Sequence, residues 1–229
     1  MEKRGSGIEI VVVSRDGEQE KTDEVIHEQE VVVRIDREIH KFYCIPVDLE
    51  AMVVGNLKSS GINPSFCKVR KIAYNEYSVD LSFAKGLIEN AQKCESNRKL
   101  TSKEVFNSVE MLNANDFLHK ETGCTHIIGI CGGKEFFVED ISRHCAIDKA
   151  VGLAIRGGID LSNSFLVTSC RQTASTIKKA IFCGIPIVIS IAAPTDLAIK
   201  EADEYEITLI GFTDSRRFNI CSHDWKIKI

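Results

Sequence analysis

Short apolar runs alternate with helix-like stretches through the second half of this 229-residue chain, and this alternation constrains the fold more than any other feature. The apolar runs include Phe165 to Ser169, Pro186 to Ile191 and Ile207 to Gly211. Residues 173–182 and 195–203, which separate these runs, have the pattern of helices. Strands that alternate with helices of this length are typical of βαβ units. The pattern therefore predicts an α/β fold around a mainly parallel sheet.

The first hundred residues follow a different pattern, which predicts a smaller α+β unit. β-branched runs at residues 8–13 and 30–35 have strand character, and a helix-like stretch follows them. A helix-start signature at Thr101 then begins the α/β pattern. We therefore expect a smaller α+β domain over residues 1–100 and an α/β domain over residues 101–229.

Residues 84–100, where the two patterns meet, are polar and only weakly periodic. We interpret this segment as a mobile loop between the domains, because irregular polar connections lie on protein surfaces and move more than the elements they join. The alternative interpretation is an amphipathic helix with Cys94 on its buried face. A mobile loop would let the Cys94 thiol swing between binding partners.

Composition and charge exclude several classes of protein. The formal net charge is −4, so a broad basic surface for nucleic acid is not expected. No apolar run approaches the ~18 residues of a membrane span, and the amino terminus has no apolar segment of signal-peptide length. The nine cysteines include no C-x-x-C pair, which predicts reduced thiols, mostly in the core of a cytoplasmic protein.

Polar loops follow three successive strands of the predicted sheet. They are Thr168 to Arg171, Ala192 to Thr195 and Gly211 to Arg217. Ligands of such sheets bind outside the carboxyl ends of the strands, and the first two loops lead into helix N-termini, which favour anions. Arg171, Arg216 and Arg217 offer guanidinium groups for phosphate, and Phe212 offers a ring face. The loops predict a site for a phosphorylated heterocycle such as a nucleotide or a pterin. The alternative is a solvated arginine pair and a Thr195 that only caps its helix.

The densest polar cluster is the stretch from Glu139 to Lys149. His144 and Asp148 are four residues apart and can face each other on one helix. The carboxylate charge would then adjust the pKa of the imidazole. The alternative is that Asp140 caps the helix, that Asp148 pairs with a neighbouring cation, and that His144 is an interior residue.

Cys124 and His126 lack the further ligands at recognisable spacing that structural zinc requires, so no metal site is expected. A Cys–His pair built from Cys124 with His126 or His144 has no local signature to support it.

Six motifs carry a resemblance to a known family, because they keep the order and the spacing that the family has. They are Thr122-Gly123-Cys124-Thr125-His126, Glu139-Asp140-x-x-Arg143-His144-x-Ala146-x-Asp148-Lys149, Ser169-x-Arg171, Gly184-Ile185-Pro186, Ala193-Pro194-Thr195-x-Leu197-Ala198 and Thr208-Leu209-Ile210-Gly211-Phe212. Together they resemble the FdhD family of formate dehydrogenase accessory proteins. The likeness covers about residues 120–225 and extends more loosely to Pro46.

The resemblance implies a C-terminal domain with a cytidine-deaminase-like α/β/α fold that lacks the deaminase zinc ligands. It implies a homodimer that takes sulfur from a cysteine desulfurase and passes it to the bis-guanylated molybdenum (or tungsten) cofactor, molybdopterin guanine dinucleotide, for formate dehydrogenase. The family's cofactor-binding loop corresponds to Phe212, Thr213, Asp214, Ser215, Arg216 and Arg217.

The chain departs from the family at the sulfur carrier itself. The family usually has two cysteines in a C-G-x-C-G motif between the domains, whereas this chain has Cys94 alone, between Lys93 and Glu95. One accessible thiolate is enough to carry a persulfide. The alternative is that Cys94 is a passive thiol. Further departures are Ser142, Cys170 and the Ser215-Arg216 pair.

Two main hypotheses follow. In the first, Cys94 carries sulfur, while Arg171 and His144 join the 212–217 loop in holding the cofactor phosphates. In the second, the protein has lost sulfur chemistry and is a chaperone that binds the molybdenum cofactor or a guanine nucleotide. A hydrolase of the deaminase-like fold is a third alternative.

Overall fold

The computed structural model describes residues 4–81 and 90–229. The smaller unit consists of β1 (Gly5–Ser14), β2 (Gly17–Ile26), β3 (Gln29–Ile35), β4 (Glu38–Cys44), α1 (Leu49–Ser59), β5 (Lys68–Ala73) and β6 (Glu76–Asp80). Strands β1 and β2 form a separate hairpin, and the other strands form a sheet in the order β4-β3-β6-β5. This unit is therefore α+β, as the sequence predicts.

The larger unit begins at Leu100. Its elements are β7 (Leu100–Thr101), α2 (Ser102–Ala114), α3 (Leu118–Thr122), β8 (His126–Cys131), β9 (Glu135–Asp140), α4 (Arg143–Arg156), β10 (Phe165–Thr168), α5 (Ala174–Cys183), β11 (Ile187–Ser190), α6 (Asp196–Glu204), β12 (Thr208–Gly211), β13 (Asn219–Ser222) and β14 (Ile227–Lys228). The Thr101 helix-start signature is confirmed as a capping box on α2.

The central sheet has six strands in the order β13-β12-β11-β10-β8-β9. Strands β10, β11 and β12 are parallel, as the alternating pattern predicts. The other three pairings are antiparallel, so the prediction of a mainly parallel sheet is wrong for the sheet as a whole. The short β8–β9 hairpin adds two antiparallel strands on one side, and β13 returns beside β12 on the other.

Helices cover both faces of the central sheet. One apolar core contains residues of α4, α5 and α6 against one face of the sheet, and a second contains residues of α2 against the opposite face. The larger unit is thus an α/β/α layer structure. No helix within the described ranges has the length and apolar content of a membrane span.

Two details of the smaller unit differ from the sequence prediction. The predicted strand at residues 8–13 is confirmed within β1, but its partner β2 was not predicted. Every β2 residue before Val25 is polar or glycine and the strand is almost fully exposed, so it has no apolar alternation to reveal it.

Of the predicted loop over residues 84–100, residues 84–89 lie outside the described part of the chain. Residues 90–99 form neither helix nor strand, so the alternative helix around Cys94 is absent there. The amide of Cys94 donates a hydrogen bond to the carbonyl oxygen of Tyr205 (2.9 Å). The mobility of this segment stays a prediction.

Helix α1 of the smaller unit packs directly on α4 of the larger unit, through a glycine on each helix. A Cβ atom on Gly55 would lie 1.8 Å from the carbonyl oxygen of Asp148, and one on Gly152 would lie 1.8 Å from that of Ala51. Such distances are possible only without side chains, so the two glycines set the close approach of the helices.

A buried ion pair fixes the same contact. The Lys149 ammonium lies 2.6 Å from a carboxylate oxygen of Asp140, and the two residues are 1% and 0% exposed. The ammonium also donates to the carbonyl oxygen of Ile45 (2.6 Å), whose amide donates to Asp140 (3.3 Å). Asp140 therefore holds the segment that leads into α1, and the expectation that it caps α4 is wrong. The N-cap of α4 is Ser142.

Asp148 pairs with a cation outside its own helix. Its carboxylate accepts from the Lys179 ammonium of α5 (2.6 Å) and from the Ser59 hydroxyl of α1 (2.6 Å). The side-chain amide of Asn56 donates to its other oxygen (2.9 Å). Because these three donors satisfy Asp148, its role is to join α1, α4 and α5.

We predict that Lys149→Met lowers the free energy of unfolding by about 3–5 kcal/mol, because it leaves the Asp140 carboxylate buried without a counter-charge. Urea denaturation measures this loss. Lys21→Met is the matched control, since Lys21 pairs with Asp23 on the exposed hairpin and such pairs contribute about 0–1 kcal/mol. Equal effects of the two substitutions would contradict the assignment.

Candidate functional site

The carboxyl ends of β10, β11 and β12 meet at one edge of the central sheet, because the three strands are parallel. The helices that follow β10 and β11 begin at this edge, with Thr173 and Thr195 as their N-caps. Helix α4 also begins there, since β9 ends beside the start of β8 and antiparallel β8 starts beside the end of β10. Three helix N-termini therefore direct positive potential at the same edge.

Main-chain hydrogen bonds tie the three strand-end loops together in a row. They join the β10 loop to the β11 loop, and the β11 segment to the β12 loop. The bonds run from Gln172 N to Ala193 O (3.2 Å), Thr195 N to Gln172 O (2.9 Å), Phe212 N to Ala192 O (3.2 Å) and Thr213 N to Ser190 O (3.2 Å). The structure thus brings the predicted loops into one connected surface.

Asp214 organises the turn in the loop after β12. The Asp214 carboxylate accepts hydrogen bonds from the amides of Arg216 (2.7 Å) and Arg217 (3.0 Å). These two bonds lower the pKa of Asp214, which keeps it ionised. Asp214 therefore stabilises the turn that has Ser215 at its tip. The side chains of Arg216 and Arg217 remain exposed.

Phe212 and Thr213, at the base of this loop, have the marks of a binding surface. Phe212 has a positive φ of 55° and is 44% exposed. Left-handed backbone is uncommon for a bulky residue and tends to persist at ligand sites. Thr213 is 2% exposed, and its hydroxyl has no hydrogen-bond partner within residues 4–81 and 90–229. An unpaired buried hydroxyl costs free energy until a ligand or water satisfies it.

His144 lies on the first turn of α4 and faces the start of α5. Its Nε2 is 3.1 Å from the hydroxyl of Ser175, which is itself 3.0 Å from the Thr173 hydroxyl. The pKa of His144 is lowered, first by burial and then by the charges of Lys179 and Arg143. His144 therefore favours its neutral form in the absence of an anion.

His126 and Arg143 join the site, although the sequence did not single them out as binding residues. The pKa of His126 is lowered first by burial and then by the charges of Arg143, His119 and Arg171. Arg143 acts electrostatically on both imidazoles. Its position directly after the N-cap of α4 was the sequence signal that could have revealed it.

Cys94 lies at the other edge of the sheet. Its sulfur is 3.9 Å from the carbonyl oxygen of Gly184, in the turn before β11, and its amide bonds to Tyr205, just before β12. A four-residue strand spans about 13 Å, so at least the length of β11 separates Cys94 from the strand-end loops. The structure does not bring Cys94 and the Phe212–Arg217 loop together.

Cys94 nevertheless lines a cavity of about 540 Å³ and is only partly buried. Lys58, Lys93 and Cys183 line the same cavity. Nearby, burial lowers the pKa of Lys226, while the charges of Cys94 and Glu206 raise it. The surroundings of Cys94 carry both signs of charge, because Glu95 also lines the cavity and Lys93 forms an ion pair with Glu206 (3.0 Å).

No group of three or more histidine, cysteine or acidic residues in the described ranges is arranged to hold a metal ion. Cys124 is exposed just before β8, next to His126 at the carboxyl edge. A cavity of about 920 Å³ lies between the β3–β4 hairpin and α1, and none of the predicted site residues lines it.

Comparison with known proteins decides the family. Residues 80–228 match the FdhD/NarQ family over about two thirds of the chain. The chain belongs to the FdhD/NarQ family. Two curated FdhD relatives extend the likeness to almost the full length, and both carry the name sulfur carrier protein FdhD. The protein from Methanothermobacter thermautotrophicus is 28% identical over 227 residues, covering 90% of this chain and 92% of the relative. The one from Wolinella succinogenes is 29% identical over 260 residues, covering 97% and 90%.

A solved structure has the same fold as this FdhD/NarQ chain. It is the crystal structure of a protein from Desulfotalea psychrophila, assigned as a formate dehydrogenase accessory protein. The TM-score is 0.87 with 23% identity, and the match covers 99% of this chain and 100% of that one. At this identity the likeness shows the fold alone.

The residues at which this chain departs from the FdhD pattern lie at the start of α4 and around the strand-end loops. Ser142 caps α4 by accepting from the Cys145 amide (3.4 Å). Cys170 is 1% exposed beneath the strand-end loops, and burial raises its pKa to about 11. It is therefore a core thiol. Ser215 and Arg216 lie in the turn that Asp214 organises.

We predict that the free energy of unfolding falls as the pH drops below about 6.5, the usual pKa of an unfolded histidine. His126 and His144 have lowered pKa values in the folded state. Between those values and about 6.5 the unfolded chain binds more protons, so acid favours unfolding there and the stability is complete at higher pH.

Urea denaturation at about pH 7.5 and about pH 5.5 tests this linkage. His144→Gln should reduce the difference in unfolding free energy between the two pH values, whereas His27→Gln, on an exposed residue before β3, should leave it unchanged. An undiminished difference in His144→Gln would rule out the proposed titration of His144.

Proposed function

We propose that this chain is a sulfur carrier in the maturation of formate dehydrogenase. A cysteine desulfurase supplies sulfur to Cys94, and the bis-guanylated molybdenum cofactor receives it. The observation that carries the cofactor part is the connected row of strand-end loops, where cationic side chains, three helix N-termini and the unpaired Thr213 hydroxyl face one edge. Family membership and the names of the relatives support the sulfur part.

The residues at this edge suit a diphosphate that carries a purine. Exposed guanidinium groups of Arg171, Arg216 and Arg217 can form paired hydrogen bonds to phosphate oxygens. The exposed Phe212 ring can stack on a base. His144, neutral without a ligand, gains a proton more readily once an anion is close. The guanidinium and imidazole contacts strengthen with negative charge on the ligand, which the two diphosphates of the bis-guanylated cofactor provide.

Sulfur acceptance at Cys94 is a thiol exchange. The Cys94 thiolate attacks the outer sulfur of the donor persulfide, the sulfur–sulfur bond of the donor breaks, and the donor cysteine leaves as a thiolate. Lys58 and Lys93 line the cavity in which this charge develops. Transfer to the bound cofactor then requires the Cys94 amide to leave Tyr205, because the two sites lie at opposite edges of the sheet.

We predict that a cysteine desulfurase with cysteine as sulfur source loads a persulfide onto Cys94, and that Cys94→Ser removes it. Mass spectrometry of alkylated peptides locates the extra sulfur. Cys124→Ser is the matched control, since Cys124 is an exposed thiol at the opposite edge. A persulfide signal that is undiminished in Cys94→Ser would remove Cys94 as the carrier.

A cofactor or guanine-nucleotide chaperone without sulfur chemistry is the second candidate. The separation of Cys94 from the strand-end loops favours it, because a chaperone needs only the loops. The Cys94→Ser variant distinguishes the two functions in a cell that lacks its own accessory protein. Restored formate dehydrogenase activity supports the chaperone, and lost activity with intact nucleotide binding supports the carrier.

We predict that the purified chain binds GDP and that Arg217→Ala weakens binding about tenfold, the effect of losing one charge-assisted hydrogen bond of about 1.4 kcal/mol. Isothermal titration calorimetry gives the dissociation constants. Arg70→Ala, which removes an exposed arginine on β5 of the smaller unit, should leave them unchanged. Absence of GDP binding, or equal effects of both variants, would contradict the assigned loop.

A further inference from the structure

The β1–β2 hairpin lacks, in the single chain, the packing that such a structure needs. Its two strands have ten residues each, and no residue of either strand is buried. The hairpin pairs with no other strand in the described part of the chain. A two-stranded hairpin is marginally stable at best in water, and three or more strands with an apolar face are needed for independent stability. The hairpin is therefore incomplete by itself.

Strand β1 exposes apolar side chains on both of its faces. Ile8 is 45% exposed, Val11 58% and Val13 75%. Side chains alternate along a strand, so Ile10 and Val12 lie on the face opposite Val11 and Val13. Both are partly exposed as well. A long, exposed apolar strand at the edge of a sheet is a template for pairing with another chain.

The main chain of β1 also has a free edge. A two-residue turn joins the strands, so the flanking residues Ser14 and Gly17 form a hydrogen-bonded pair. Bonded and non-bonded pairs alternate along antiparallel strands. Glu9, Val11 and Val13 therefore occupy non-bonded positions, and their amide and carbonyl groups point away from β2. Within residues 4–81 and 90–229, these groups make no main-chain hydrogen bond to another part of the chain.

The other edge of the hairpin, formed by β2, is protected by charge. Strand β2 carries four acidic residues and one lysine, which are Glu18, Glu20, Asp23, Glu24 and Lys21. Two copies of such a strand would repel each other, and charges on an edge strand are a means of preventing pairing. Strand β1 carries one charged residue, Glu9. Two copies of this chain can therefore meet at β1 but not at β2.

We propose that β1 is a docking surface for a second copy of this chain. The two β1 strands pair antiparallel, so that the two hairpins form one four-stranded sheet in the order β2-β1-β1-β2. A two-fold axis through the middle of the pairing gives each copy the same row of donors and acceptors. The apolar residues of β1 then face their counterparts, and the acidic β2 strands lie on the outer edges, far from each other.

The proposal depends on the hairpin alone and names a surface, which the family resemblance does not. It uses neither Cys94 nor the loops after β10, β11 and β12. Failure of the sulfur-transfer or nucleotide-binding proposals would therefore leave it unaffected, and its own failure would leave those proposals unaffected.

Sedimentation velocity of the full-length chain over a range of protein concentrations tests the proposal. We expect a dimer for the wild-type chain. Val11→Glu should raise its dissociation constant about a hundredfold, because the new carboxylate meets Glu9 or its own counterpart in the second copy. Ile72→Glu is the matched control, since Ile72 on β5 is also 58% exposed, and it should leave the dimer intact. Urea denaturation shows whether both variants are folded.

A wild-type chain that stays monomeric would overturn the proposal and leave β1 to a different partner. A dimer that Val11→Glu leaves intact, or that Ile72→Glu weakens equally, would place the interface elsewhere and would also overturn it.

Amide hydrogen exchange of the wild-type chain tests the strand pairing without any variant. The amides of Val11 and Val13 should exchange more slowly at protein concentrations that favour the dimer than after dilution to the monomer. Val11→Pro should also weaken the dimer, because it removes a donor from the free edge and no bond to β2. Exchange at these two amides that does not depend on protein concentration would overturn the pairing through β1.

Discussion

The buried ion pair between Asp140 and Lys149 determines how the two halves of this protein meet. Removing two charges from water is unfavourable unless each finds partners, and here the main chain of Ile45 supplies both a donor and an acceptor. The pair is satisfied only when the strand that precedes α1 lies against α4. The contact between the units is thus specified by charge as well as by the paired glycines of α1 and α4.

The candidate site depends on this arrangement, because α4 contributes its first turn to the carboxyl edge of the sheet. Anchoring α4 through Lys149 fixes where Arg143 and His144 lie relative to the loops after β10, β11 and β12. The acidic residues Asp140 and Asp148 of the motif are structural partners of Lys149 and Lys179. Arg143 and His144, which lie between these acids in the sequence, stay at the carboxyl edge of the sheet.

The two edges of the central sheet have different chemistry. The carboxyl edge gathers arginines, helix N-termini and an unpaired hydroxyl, which together favour a phosphorylated ligand. The amino edge holds Cys94 in a cavity that Lys58, Lys93 and Glu95 also line. A protein that both binds a cofactor and carries sulfur must connect these edges by movement. The main-chain bond from Cys94 to Tyr205 is the constraint that such movement has to break.

The sequence by itself determined the family, the α/β character of the second half and the three strand-end loops, because these rest on local periodicity and on motifs that are contiguous in the chain. It did not determine the polar β2 strand, the antiparallel neighbours of the parallel strands, or the partners of Asp140 and Asp148. Those depend on residues far apart in the sequence. Only the tertiary structure placed Cys94 at the edge of the sheet opposite the loops, because chain folding, not sequence spacing, sets which residues meet.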